Sequence, residues 1–405
     1  MVNEMKSMCR KFQVLGICLV LLYGCQESST KDTDTLLKKV LASDELAIKT
    51  VMQQPENYEL QIHLILPNDT SLYQKNQQPI HRTNSIQTIA TPKTDVIDYS
   101  QGQYFYPAST VKLPVAVLAA EWAELNPDLS IITPYRIAND TVTHHIAQDL
   151  IEIFAVSDNY AYNRLYDLLG RDYINQRMAE LGISDFRLAH RLSVSNAADP
   201  EHPTYYFETD QGIKIFQAAA DRPLDSLLGA GLQKGVGYWQ EEQLVALPMD
   251  FSLKNYFPLA SMMQFMQTLY PLDCTDCPAK FKWSKNTQDF VKMLMSSVPR
   301  KQGYDESKYP DGFVKFFFLG DSNERIGSGL KIHNKVGLAY GTLTDLAYIV
   351  DTKNDLHYLL GATLLVNENG IFNDNTYEYD SIGFPFLAQF SRRLHDLLLE
   401  AISRR

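Results

Sequence analysis

The stretch YPASTVKLPVAVLAAEWA, residues 106–123, predicts that a buried helix begins beside a serine. The residues after Lys112 are almost all apolar, so this helix is expected to be buried on every side. Pro107 stands where the helix begins, a position that proline favours, and it places Ser109 in the first turn. The peptide N–H groups there have no intrahelical partner and favour a developing negative charge. A lysine at the start of such an apolar helix requires an explanation.

Ser109 and Lys112 form an S-x-x-K pair. Residues three apart on a helix share a face, so the lysine amine can reach the serine hydroxyl. A lysine that is desolvated beside other cations has a lowered pKa and can accept the serine proton. The alternative is a structural lysine whose stem packs on the core while its charge reaches solvent. The pattern recurs at 28–31 and 328–331, but neither copy opens an apolar helix, so Ser109 is the candidate nucleophile.

Two more motifs follow in the chain. Residues 151–170, IEIFAVSDNYAYNRLYDLLG, contain Ser157-Asp158-Asn159, and residues 333–351, HNKVGLAYGTLTDLAYIVD, contain a K-x-G. By itself the tripeptide reads as a helix cap, and K-x-G patterns are common. In this order the three motifs resemble those of the class A β-lactamases and the related penicillin-binding serine hydrolases.

The resemblance implies a catalytic role for each polar side chain. Ser109 would attack an amide or β-lactam carbonyl, and Lys112 would take its proton. Ser157 together with Lys335 would pass a proton to the leaving nitrogen. No metal or cofactor is required for this chemistry.

The resemblance also implies how substrate is bound. The side chain of Asn159 would hydrogen-bond the substrate amide, and Gly337 would allow a close backbone approach. The N–H of Leu338 would complete an oxyanion hole with that of Ser109. Val336 is a departure, because the family carries a hydroxyl there that hydrogen-bonds the substrate carboxylate.

The expected fold is α/β: a β-lactamase/D,D-peptidase-like antiparallel sheet flanked by helices, with an inserted all-helical domain. The catalytic domain should cover 36–404, with a sheet part at 36–107 and about 300–404. The mainly helical part should cover about 108–299. The segment 196–249 is longer than the resemblance requires, and its role is left open.

A glutamate that activates the deacylating water in class A β-lactamases has no counterpart in residues 186–203, FRLAHRLSVSNAADPEHP. Glu201 and Glu208 are the nearest carboxylates, each readable as a solvated loop residue or as a base. Without that glutamate an acyl-enzyme would form but hydrolyse slowly.

Three functions therefore remain open. The first is a class A β-lactamase, and the second is a D,D-peptidase or esterase that acts on cell-wall peptides and turns β-lactams over slowly. The third is an inactive surface protein that binds a ligand on the same fold. A net charge of −11 argues against nucleic acid as a partner, since phosphate binding needs clustered basic residues.

The first residues predict export. Residues 1–24 read as a signal peptide with a basic start and a short apolar run. The segment 22–25, LYGC, resembles a lipobox, so Cys25 is the expected lipidation site, and 25–35 reads as a flexible tether. These features predict a lipid-anchored cell-envelope protein, at the outer membrane and facing the periplasm or the surface. Cys274 and Cys277 are then expected to form a local disulfide.

Overall fold

The computed structural model describes residues 31–67, 93–273 and 280–403, with side chains from Leu36 onward. The predicted signal peptide, Cys25, Cys274 and Cys277 lie outside the described residues. The first helix begins at Lys31, within the last residues of the predicted tether.

The helices of the described residues agree with the apolar spacing of the sequence. The break between α4 and α5 is at Ser157-Asp158, inside a stretch that the sequence predicts as helical from Asp149 to Leu169. The α-helices are α1 (Lys31–Leu41), α2 (Leu46–Met52), α3 (Lys112–Leu125), α4 (Ile146–Val156), α5 (Asn159–Leu169), α6 (Arg171–Glu180), α7 (Leu259–Leu269), α8 (Lys285–Ser296), α9 (Phe316–Leu319) and α10 (Phe384–Ser403). In that part of the chain, none of the helices is both long and apolar enough to cross a bilayer.

The strands form one large sheet and three small ones. They are β1 (Gln61–Leu66), β2 (Lys93–Asp98), β3 (Pro134–Ile137), β4 (His144–His145), β5 (Tyr205–Thr209), β6 (Gly212–Phe216), β7 (Gln233–Lys234), β8 (Gly237–Gln240), β9 (Gln243–Val245), β10 (Met249–Asp250), β11 (Leu330–Ala339), β12 (Thr342–Asp351), β13 (Leu356–Leu365) and β14 (Ile371–Phe372). The large sheet has the order β11-β12-β13-β1-β2 and is antiparallel throughout. β11 is therefore an edge strand.

Apolar side chains cover both faces of this sheet. One core cluster joins the sheet to α1, α2 and α10, and the other lies between the sheet and helices α3 to α8. Helix α7 packs closely on β13, where a Cβ added to Gly361 would lie 2.6 Å from the sulfur of Met263. The antiparallel sheet between helical layers matches the predicted fold class.

The inserted part of the chain contains strands as well as helices. β3, β4, β5 and β6 form a four-stranded sheet whose aromatic residues pack on α3, for example Phe207 against Trp122. The segment 196–249, whose role the sequence left open, supplies β5 to β9, which belong to all three small sheets. This segment also forms part of the surroundings of the site described below.

Candidate active site

Ser109 lies in a short 3-10 helix, Ala108–Val111, that leads directly into α3. Ala108 has a φ of +47°, a conformation that is uncommon outside glycine, and it turns the chain just before the serine. Nearly the whole of α3 is buried, which holds this turn firmly against the core. Ser109 itself is half-buried and borders two cavities. The serine therefore lies at an accessible turn at the start of a helix that is buried as far as Ala123.

Lys112 is fully buried and points toward the turn between α4 and α5. Its Nζ donates to the backbone oxygen of Ser157 at 2.5 Å and to the Oδ1 atom of Asn159 at 2.6 Å. The Oγ atom of Ser157 is 3.3 Å from the same nitrogen. The structure thus joins the first two motifs of the sequence through one amine.

The Ser157-Asp158-Asn159 turn combines a structural role with a polar one. Ser157 ends α4 in the left-handed conformation, with a φ of +55°, so its carbonyl and hydroxyl oxygens both lie near Lys112. Asp158 caps α5, and its Oδ1 atom accepts the N–H of Ala161 at 2.8 Å. The helix-cap interpretation of the motif is therefore correct for Asp158, while the residues on either side of it contact Lys112.

The edge strand β11 supplies the third motif. The Nζ of Lys335 donates to the Oγ of Ser157 at 2.8 Å and to the backbone oxygen of Val336 at 2.9 Å. A Cβ added to Gly337 would lie 2.7 Å from the backbone oxygen of Pro107, so only glycine allows this strand to contact the serine turn. Leu338 follows and borders both cavities beside Ser109.

Burial lowers the pKa of both lysines. Desolvation is the main cause for Lys112, whose pKa falls well below its ordinary value, and the charge of Lys335 lowers it further. The pKa of Lys335 falls to about 7, mainly through desolvation, while Asp345 opposes the shift and Lys315 adds to it. Both amines can therefore lose a proton at a far lower pH than an exposed lysine.

A buried polar network behind β11 was missed by the sequence analysis. Lys315 donates to the oxygen of Met295 at 2.8 Å and to Oδ1 of Asn334 at 2.5 Å, and Asn334 donates to Asp345 at 2.8 Å. Burial lowers the pKa of Lys315 and raises that of Asp345. One feature of the sequence could have indicated this network, namely Lys315 inside the apolar run FVKFFFL, residues 313–319. Only the fold shows that Lys315 lies near Lys335.

Two cavities meet at Ser109, Asn159 and Leu338. The first, of about 540 Å³, has the side chains of Phe313, Phe316 and Phe384 in its wall and is called the phenylalanine cavity. It also contains Ser157 and Val336.

The second cavity, of about 740 Å³, has Tyr106, Tyr340, Tyr377 and Tyr379 in its wall and is called the tyrosine cavity. Ser157 does not border it. A substrate at Ser109 would therefore have a separate space on either side of the serine.

The segment 190–203 contributes a hydroxyl, and not a carboxylate, to the cavity that Ser109 borders. Ser193 borders the tyrosine cavity, and its Oγ accepts a 2.9 Å hydrogen bond from Nδ2 of Asn159. Arg191 fixes this segment by binding Asp167 together with backbone oxygens, that of Glu201 among them.

Neither candidate glutamate reaches Ser109. Glu201 is exposed and borders neither of the two cavities at Ser109. Its backbone oxygen accepts a hydrogen bond from Arg191 at 2.7 Å. Glu208 lies on β5 and pairs with Arg136 at 3.3 Å. The described residues around the tyrosine cavity include no acidic side chain.

Comparison with known proteins identifies the family. A family model described as the beta-lactamase enzyme family matches residues 70–376, well over half of the chain. The chain belongs to this family. A search of curated protein sequences finds no match.

Two solved members of the family resemble the fold. A β-lactamase from Desulfarculus baarsii DSM 2075 superposes with a TM-score of 0.50 and 11% identity, covering 89% of this chain and 98% of its own. A class A β-lactamase from Mycobacterium abscessus superposes with a TM-score of 0.50 and 12% identity, covering 90% and 99%. At such identities the likeness extends to the β-lactamase-like fold alone.

Proposed function

We propose that this β-lactamase family member is a serine hydrolase that opens β-lactams through an acyl-enzyme on Ser109. The observation that supports it most is the hydrogen-bonded group formed by Lys112, Ser157 and Lys335 beside that serine. Two buried lysines contact one serine hydroxyl, and the charge of Lys335 lowers the pKa of Lys112. Such an arrangement is costly for stability and is the one that proton transfer needs.

In the first step Ser109 attacks the carbonyl carbon and its proton passes to Lys112 in the neutral form. The amide bond then breaks, and the leaving nitrogen receives a proton through the hydroxyl of Ser157, which Lys335 contacts at 2.8 Å. The product of this step is an ester between Ser109 and the acyl group. Water hydrolyses that ester in the second step, which releases the acid and restores the serine.

The peptide N–H groups of Ser109 and Leu338 would hold the oxyanion. Ser109 is in the first turn of a helix, where N–H groups lack intrahelical partners. On β11 the oxygen of Val336 faces Lys335 and not β12, and in an antiparallel strand residues two apart direct their polar groups to the same side. The N–H of Leu338 is therefore also directed away from β12, toward the cleft.

A specific observation favours slow hydrolysis of the acyl-enzyme. Ser193 is the residue next to Asn159 on the loop that borders the cleft, and a serine hydroxyl is a much weaker base than a carboxylate. This supports a second candidate function, a D,D-peptidase or esterase of cell-wall peptides that turns β-lactams over slowly. An inactive binding protein is less well supported, because it has no need of three polar groups converging on one buried amine.

The experiment is intact mass spectrometry of the purified protein after incubation with a penicillin and with a cephalosporin, with drug loss followed in parallel. A lasting adduct of the drug's mass, absent in Ser109→Ala, would support a penicillin-binding hydrolase with slow deacylation. Drug loss without a lasting adduct would support a β-lactamase. No adduct and no drug loss would contradict both.

We further propose that the protein is anchored to the cell envelope through a lipid on Cys25. The support is the sequence around this residue, in which a basic and apolar start precedes LYGC at 22–25 and a stretch without apolar residues follows. Labelling of growing cells with radioactive palmitate should mark the protein and fail to mark Cys25→Ser. Label retained in that variant would contradict the anchor.

A further inference from the structure

The position of Ser157 assigns the two cavities to the two halves of a substrate. Ser157 borders the phenylalanine cavity and not the tyrosine cavity. The leaving nitrogen has to meet the hydroxyl of Ser157, so the leaving group extends into the phenylalanine cavity. The acyl group is on the other side of the carbonyl carbon and therefore extends into the tyrosine cavity. This step rests on the proposed acyl transfer at Ser109.

The wall of the tyrosine cavity is held rigidly. The hydroxyl of Tyr377 accepts the N–H of Asn373 at 2.7 Å, and that of Tyr379 accepts the N–H of Gly341 at 2.7 Å. The rings of Tyr106 and Tyr340 meet edge to face at 5.1 Å. A wall with fixed rings is pre-organised, so a ligand does not have to order it on binding.

The charge of the tyrosine cavity is positive. Its acid-free lining includes two cations, Arg191 and Lys254. Arg191 is occupied, because its guanidinium binds Asp167 at 2.5 Å and the backbone oxygens of Asp199 and Glu201 at 2.6 and 2.7 Å. A ligand in this cavity would therefore meet the charge of Lys254.

Lys254 is half-buried, and no hydrogen bond or ion pair of its amine is found among the described residues. Burial lowers the pKa of this amine, and no acidic group among the described residues opposes that shift. The neighbouring His190 does not supply a negative charge, and burial lowers the pKa of its imidazole to about 4, so it is neutral at pH 7. A carboxylate brought in by a ligand would provide the missing partner.

We infer that the tyrosine cavity is the acyl-group subsite and that Lys254 selects acyl groups that carry a carboxylate. The substrate class is then an amide or β-lactam whose acyl side chain is acidic and aromatic or extended enough to reach the tyrosine wall. The chain as a whole has a net charge of −11, but the lining of this cavity contains no acidic residue and is positively charged at Lys254. The local charge is therefore opposite in sign to the overall charge. Such a reversal favours an anionic group over neutral or cationic ones.

The test compares two penicillins that differ by one carboxylate on the acyl side chain, benzylpenicillin and carbenicillin. The second-order rate of Ser109 acylation is measured for each by quenched-flow mass spectrometry. Carbenicillin should react faster, and Lys254→Met should lower its rate about tenfold while changing that of benzylpenicillin little, as expected for the loss of one charge-assisted hydrogen bond. Lys254→Arg should keep most of the preference.

Lys292→Met is the matched control, since Lys292 is also half-buried with a pKa lowered by burial, but it lies on α8 against Tyr270 and away from the cavity. It should leave both rates unchanged. Equal rates for the two penicillins, or an equal loss of both in Lys254→Met, would overturn the assignment of Lys254 while leaving acyl transfer standing. Failure of both penicillins to acylate the unaltered protein would instead overturn the proposed function, and this inference with it.

Discussion

The amine of Lys112 is 2.6 Å from the Oδ1 atom of Asn159, although the two residues are 47 positions apart in the chain. The same asparagine donates through Nδ2 to Ser193 at 2.9 Å. Asn159 therefore links the buried lysine to the loop that borders the tyrosine cavity. Its amide is neutral, so it accepts from Lys112 without adding the negative charge that would hold a proton there.

Replacing this amide by a carboxylate should make Lys112 a worse base. In Asn159→Asp the new charge raises the pKa of Lys112, which must be neutral to accept the proton of Ser109. Acylation by a penicillin at pH 7 should fall about tenfold or more and recover as the pH rises. Rapid-quench mass spectrometry over pH 5 to 10 measures this. Asn159→Ala, which adds no charge, should lower the rate without moving the profile upward, and the prediction is wrong if both variants have the same profile.

Lys335 should reduce the stability of the protein at neutral and acidic pH. Its pKa is about 7 in the folded state and roughly 10.4 unfolded, so between these values the unfolded chain binds one proton more. Stability therefore rises with pH across this window, and the whole deficit is present below pH 7.

Lys335→Met should thus raise the free energy of unfolding by roughly 1–4 kcal/mol at pH 6, with a gain that shrinks toward pH 10. Urea unfolding at several pH values measures it, and acylation should be lost at the same time. If the gain in the free energy of unfolding did not depend on pH, protonation of Lys335 would not be its cause, and the gain would come from packing alone.

Gly337 should be intolerant of any side chain. A Cβ there would lie 2.7 Å from the oxygen of Pro107 and 2.9 Å from Cγ2 of Thr110, both parts of the serine turn. We expect Gly337→Ala to displace β11 from Ser109, to cost about 1–3 kcal/mol in stability and to abolish acylation. Gly327→Ala is the control, because open space surrounds its added methyl group. Normal acylation in Gly337→Ala would mean that the strand and the turn need not be in contact.

A carboxylate placed at Ser193 should shorten the life of the acyl-enzyme. The side chain of Ser193 is next to Asn159, and a general base there could activate water for attack on the ester. Ser193→Glu should speed loss of the penicillin adduct about tenfold or more, followed by mass spectrometry after removal of free drug. Ser193→Gln is the control, because glutamine has the size of glutamate but is not a base, and both variants place a longer side chain at the same positive φ of 55°. The adduct of this control should be lost as slowly as that of the unaltered protein. Equal adduct lifetimes in the two variants would exclude this position as the site of the missing base.

The sequence by itself determined which motifs the chain contains and the order in which they occur. Three features are local patterns: an apolar helix that opens with Ser109 and Lys112, a cap-like Ser157-Asp158-Asn159, and a strand that follows Lys335. Local patterns can be recognised without knowledge of the fold. The sequence pattern predicts helices at 257–270 and 287–295 and strands at 343–350 and 356–366. The observed α7, α8, β12 and β13 begin and end within two residues of these ranges. The short strands of 196–249 were not predicted, because strands of two to five residues give too few apolar positions for a period to appear.

Tertiary structure alone decided which groups touch. Lys112 lies beside Ser157 because α3 and α5 pack together, and Lys335 reaches the same hydroxyl because Gly337 lets β11 approach the serine turn. The apolar run after Lys112 already predicts that this lysine is buried, whereas the burial of Lys335 and the charges that act on it are properties of the packing alone. The same holds for Ser193 and Lys254, ordinary loop residues in the sequence, which the fold places on one cavity with Ser109 because distant segments of the chain converge there.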